Sequence, residues 1–170
     1  QILVSRFDSD PSLHFFMIKS LILTNFRNYV FSRFDVDDSK LIFVGGNNGT
    51  GKTAILESVS MFSPDRGLRS ASMNEILRFG SNDGFSVFSN LSDGNDLVVF
   101  YSNNDLGRKV KLNSDNISFG SLSSLLKIIW LTPKEDRLFV DTVSERRVFF
   151  DRLVSCFDER HLSRITKLNR

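Results

Sequence analysis

The sequence predicts an α/β domain, on three observations. Three strand-like segments precede the first helical pattern, a glycine-rich junction at 46–53 joins the last of them to that helix, and short alternating strands fill the middle of the chain. Ile18 to Phe26 and Val30 to Val36 read as two strands joined by a short polar turn. Leu41 to Val44 is continuously apolar, the pattern of a strand buried on both faces. Lys52 to Phe62 follows as a helix, with Ile55, Leu56, Val59 and Phe62 at helical spacing. Ser63-Pro64 closes it, because proline lacks an N–H and disfavours helix in the residue before it. Further on, Phe85, Val87 and Leu91 share one strand face, Asp93-Gly94 is a hairpin signal, Leu97 to Tyr101 is the return strand, and Lys109 to Leu112 alternates polar and apolar. These predict an antiparallel insert at about 85–112 in a mixed sheet core. Ser121 to Lys127 then predicts a short helix and Ile128 to Leu131 a buried strand. Thr142 with Glu145 forms a capping box that opens a helical segment, restarting near Asp158, with Phe149, Leu153 and Cys156 on one face.

At 170 residues and 41% hydrophobic content, the chain amounts to one globular domain or most of one. Its formal charge of +2 names no partner, although residues 137 to 170 carry eight Lys/Arg against five Asp/Glu. Arg147 and Asp151 lie four apart and pair readily on a helix, so this basic end is expected to be a solvated helical arm. The single cysteine, Cys156, excludes an intrachain disulfide and suits a reducing compartment; it reads as a small buried hydrophobe. No apolar run nears the roughly 18 residues of a membrane span, and the N-terminus carries no signal-peptide pattern. These features predict a cytoplasmic protein without a membrane partner. The seventeen phenylalanines are scattered without period and define no aromatic surface. Regular patterning begins at Met17, so residues 1–16 are expected to be an extension outside the fold, 17–140 the main domain, and 141–170 the start of the helical arm. The helical pattern is still open at Arg170, as in part of a longer chain.

The glycine-rich junction carries the chemistry. Gly46-Asn47-Asn48-Gly49-Thr50-Gly51-Lys52-Thr53 fits G-x-x-x-x-G-K-[ST], in the strand-to-helix context that this motif requires. A polyphosphate is wrapped by successive backbone N–H groups, and side chains would block both that approach and the positive-φ turns it needs. Gly46, Gly49 and Gly51 remove that obstacle. The helix starting near Lys52 adds unpaired N–H groups and the positive end of its dipole. Lys52 is expected to bridge the β and γ phosphates of ATP, and the Thr53 hydroxyl to ligate Mg²⁺. At ordinary glycine usage, these four fixed positions arise by chance in on the order of one in a hundred chains of this length.

The hairpin ahead of the glycine loop resembles the ABC-type ATPases of the SMC class. Within that class, IKSLILTNFRNY at 18–29, the loop at 46–53, DRGLRS at 65–70 and TPKEDRLFVDTVSERRVFFDRL at 132–153 resemble, in order and approximate spacing, the N-terminal half of the bacterial RecF family. The resemblance runs from Met17 to Arg170. It implies a P-loop ATPase fold of ABC/SMC type and a slow ATPase that binds double- and single-stranded DNA at gaps. It also implies action with the RecO and RecR proteins to load RecA, in recombinational repair, replication restart and the SOS response. ATP is then expected to close a homodimer, the phosphate loop of one subunit meeting the signature motif of another. Arg27 and Asn28 match the opening motif and are expected near the nucleotide. Arg66 and Arg69 match a segment to which the residues themselves give no role.

Some of the family's pattern is missing. Leu138-Phe139-Val140-Asp141 and Val148-Phe149-Phe150-Asp151 look like a Walker B strand, but each has only three apolar residues before the acid, and both are rejected. No signature-like segment is present, and Trp130 stands where related ATPases place a glutamine that senses the γ-phosphate. No catalytic residue is assigned to this chain. Two other readings stand beside the RecF-like one: another P-loop ATPase of the SMC/ABC class, and a gene fragment without function.

Overall fold

The computed structural model describes residues 2–3, 16–36, 41–133, 142–158 and 160–168. In chain order the strands are β1 (Ile2–Leu3), β2 (Ile18–Phe26), β3 (Tyr29–Asp35), β4 (Phe85–Leu91), β5 (Asp96–Tyr101), β6 (Lys109–Leu112), β7 (Asp115–Ile117) and β8 (Ile129–Trp130). The helices are α1 (Lys52–Ser60), α2 (Met73–Ile76), α3 (Leu122–Leu125), α4 (Val143–Ser155) and α5 (His161–Leu168). Six strands form one sheet in the order β3-β2-β4-β5-β6-β7, and each of its ladders is antiparallel. The strands expected as an insert therefore extend the sheet begun by the opening hairpin, through the pairing of β2 with β4 that sets Leu23 opposite Val87.

One face of this sheet makes the core. Leu21, Leu23 and Phe26 of β2 and Phe85, Val87 and Leu91 of β4 are buried, as are Leu97, Val99 and Val110 further across. The strict alternation of burial along β4 is the period of two that a half-buried strand must show. Met61, Phe62, Ile76, Leu122, Leu126 and Trp130 cover that face, and Phe26 meets Phe85 edge to face at 5.5 Å. Each such side chain removed from water contributes roughly 1.5–3 kcal/mol. Asp93-Gly94 makes the expected hairpin: Gly94 has φ +85°, and its N–H donates to Leu91 O.

Three expectations need correction. Leu41 to Val44 joins no described ladder, and its side chains are exposed, Phe43 at 85%. A continuous apolar run reports that a strand can be buried on both faces, but burial depends on neighbouring strands that the run does not contain. α1 stops at Ser60 rather than Phe62. Its end tightens, with the N–H groups of Met61, Phe62 and Ser63 donating three residues back before Pro64 is reached. The face of α1 that is buried carries Ala54, Glu57, Ser58 and Ser60, whereas Ile55, Leu56 and Val59 are only half-buried.

The connections were less legible than the sheet. α2 is a single turn, Ile76 buried beneath it, and an isolated bridge joins Phe26 to Leu77. β1 and β8 form a separate antiparallel pair, Ile2 opposite Trp130 and Leu3 opposite Ile129. Of the two Walker B look-alikes, 138–141 lies outside the described residues and 148–151 lies within α4, in a helix rather than at a strand end. Asp151 faces His161 on α5 at 3.0 Å rather than Arg147.

Candidate phosphate-binding site

The glycine loop runs exposed from Gly45 to Thr50 and turns at Gly51 into α1. Gly46, Gly49 and Gly51 have φ of +147°, +84° and +100°, so the three glycines of the motif stand where L side chains rarely go. Thr50 Oγ1 donates to Asn47 O at 2.8 Å, and the N–H of Ile55 donates to Gly51 O at 3.1 Å as the first bond of the helix. No side chain caps α1, and no acidic residue lies in its first turn. Its leading N–H groups and the positive end of its dipole thus face the loop without a carboxylate to neutralise them.

Lys52 lies back across the loop, its ammonium donating to Gly46 O and Asn47 O, both at 2.6 Å. An ammonium has three donors, so one remains for an anion held by the loop. Thr53 is exposed one residue into the helix. Among the described residues no group of three or more His, Cys, Asp or Glu could hold a metal. A divalent cation bound with the phosphates would find the Thr53 hydroxyl as one of its oxygen ligands.

The opening hairpin forms a wall behind the loop. Asn28 Nδ2 and Tyr29 Oη reach Thr50 O at 3.4 and 3.5 Å, and a Cβ placed on Gly51 would lie 2.7 Å from both atoms. Asn28, expected near the nucleotide, is therefore at the loop. Arg27 is turned elsewhere. Its Nε and Nη2 donate to Glu57 Oε2 and Oε1 at 2.8 and 2.5 Å, and its Nη1 donates to Glu75 O at 2.6 Å. Glu57 is 2% exposed, a carboxylate buried on α1 with this one guanidinium as its salt-bridge partner among the described residues. Sequence reading missed it because Glu57 looks like one more polar residue in an amphipathic helix. Its burial follows from the cation that the hairpin brings to it.

Behind α1 a second group of polar contacts holds the loop that follows the helix. Arg108 donates to the carbonyls of Met61, Ser63 and Asp65 and stacks on Phe119, 4.3 Å from the ring centre. Burial pushes its pKa down to about 10, still far enough above neutrality to leave it a fixed cation. Arg152 of α4 lies over Trp130 at 3.7 Å and donates to Asp65 Oδ2 at 2.9 Å. Trp130 itself is buried. Arg66 and Arg69 stand exposed on the loop so anchored. Burial also raises the pKa of the Cys156 thiol, which keeps it a poor nucleophile.

No family model matches the chain. It is similar to curated proteins named DNA replication and repair protein RecF. That of Rhizobium rhizogenes is 37% identical over 163 residues, covering 92% of this chain and 43% of the relative. That of Agrobacterium fabrum is 39% identical over 152 residues, covering 85% and 40%. The chain thus spans about two-fifths of the length of the relatives it matches. Among solved structures, the recombination mediator protein RecF-ATPrS in the RecFOR pathway matches with a TM-score of 0.73 at 21% identity, over 91% of this chain and 42% of that one. A second, RecF-ATP in the same pathway, matches with a TM-score of 0.72. These structural matches bear on fold alone, and the fold is the α/β fold of those RecF structures.

Proposed function

We propose, on the premise that this chain matches an N-terminal part of RecF proteins over nine-tenths of its length, that it supplies the ATP-binding loop of an ATP-gated DNA-binding protein of recombinational repair and replication restart. The observation that carries the ATP reading is the loop itself: three glycines at positive φ leading into a helix whose first turn holds Lys52 and no carboxylate. The amides from Asn47 to Thr53 wrap the phosphates, Lys52 holds the β and γ oxygens as a point charge, and Thr53 offers its hydroxyl to Mg²⁺. When bound, the cation supplies charge neutralisation between the phosphates. Asn28 and Tyr29 keep the loop from receding at Gly51. Action at gapped DNA with RecO and RecR, loading of RecA, closure of a homodimer by ATP and a cytoplasmic location complete the reading; similarity to the RecF relatives supports them.

The test uses the intact protein that carries this chain. Gapped-duplex binding measured with and without ATP should weaken steeply between 50 and 200 mM salt, since neutralised phosphates release counterions. Lys52→Ala should remove only the ATP-dependent part. Binding indifferent to both salt and ATP would refute the proposal.

A further inference from the structure

Arg27 has all three of its guanidinium nitrogens engaged inside the chain, two on Glu57 and one on Glu75 O. Its own N–H donates to Ile76 O at 2.7 Å, and its φ is +54°. The next two residues, Asn28 and Tyr29, reach Thr50 O and set their side-chain ends where a Cβ on Gly51 would lie. Glu57 lies five residues beyond Lys52 on α1, about 7.5 Å along the helix axis. Hairpin turn, phosphate-loop helix and α2 thus meet at one guanidinium. We infer that the Arg27–Glu57 pair is a positioning clamp that fixes the hairpin turn against Gly51 and so holds the phosphate loop open for its ligand, and that Arg27 is not itself a nucleotide ligand.

The chemistry favours that division. A planar guanidinium with a bidentate carboxylate fixes both distance and orientation between the two elements. A carboxylate as buried as Glu57 cannot release its cation to a phosphate without being left charged and unpaired. Asn28, by contrast, is exposed and among the described residues has only a long contact to Thr50 O, so it stays at the loop surface.

The inference rests on the loop being a nucleotide site, and the experiment separates the two. In the intact protein, Arg27→Lys, Glu57→Gln and the double variant are compared with wild type by hydrogen exchange across the loop and the start of α1, residues 46–58, without nucleotide, where the N–H groups of Thr50 and Ile55 are bonded to Asn47 O and Gly51 O, and by titration with fluorescent ATP and ADP. Arg27→Lys keeps the charge and loses the fork, so it is the variant best able to fold. The clamp predicts faster loop exchange in all three. It also predicts about tenfold weaker binding of ATP and ADP alike, with the double variant within twofold of either single one. Three results would overturn it: a loss of affinity for ATP alone in Arg27→Lys while Glu57→Gln binds normally, additive losses in the double variant, or a lower melting temperature with loop exchange unchanged. The exchange readout needs no ligand, so it decides the clamp even if wild type binds neither nucleotide, a result that would instead sink the ATP-site proposal.

Discussion

At the scale of single residues, the loop glycines differ in what they permit. Gly49 has φ +84° with nothing within 4 Å of a Cβ built on it, whereas at Gly51 such a Cβ would press on Asn28 and Tyr29. Alanine at Gly49 meets only the backbone penalty of the left-handed region, about 1–2 kcal/mol. Alanine at Gly51 meets that penalty and must also swing the Asn28 amide and the Tyr29 hydroxyl away from Thr50 O. Gly51→Ala is therefore expected to weaken ATP binding about threefold more than Gly49→Ala, as measured by titration with a fluorescent analogue. Equal losses would show that backbone conformation alone, not the hairpin wall, sets the requirement.

At the scale of elements, the buried arginines tie loops to the sheet. Arg108, at the edge of β6, reaches three backbone carbonyls after α1, and its removal takes a charged donor from all three. Arg108→Met should cost roughly 1.5–3 kcal/mol in denaturant unfolding, the range for hydrogen bonds to a charged group. The neighbouring Lys109 pairs with Asp105 at 2.6 Å on the surface, its side chain 55% exposed. Lys109→Met should change stability by no more than about 1 kcal/mol. The two lie next to each other in sequence, and burial together with the number of partners separates their effects.

At the scale of the whole molecule, the sheet closes at Met17, whose N–H donates to Ser92 Oγ and whose carbonyl accepts from Ser92 N–H. Upstream of it, the described structure adds the two-residue ladder of β1 with β8 and the half-buried Phe16, which packs against the core. Ladder and half-buried ring together contribute on the order of 2 kcal/mol. Starting the protein at Met17 should then lower its melting temperature by no more than about 8 °C, with ATP binding unchanged. A larger fall would place residues 1–16 within the cooperative unit.

Local signals were sufficient wherever local chemistry decides. Ile18–Phe26 and Lys109–Leu112 have the bounds that their patterns indicate, Gly94 turns the hairpin, and the glycines of 46–53 take the positive φ that a phosphate loop needs. These follow from side-chain alternation and from the freedom of a residue without Cβ, both written in a few adjacent letters. Only the tertiary structure decided that Glu57 is buried on Arg27, 30 positions upstream, that Arg108 reaches Ser63 and Asp65, and that Leu41 to Val44 stays exposed. Each depends on a partner far away in the chain, and the energy of a buried charge or an apolar strand is set by that partner rather than by its own neighbours.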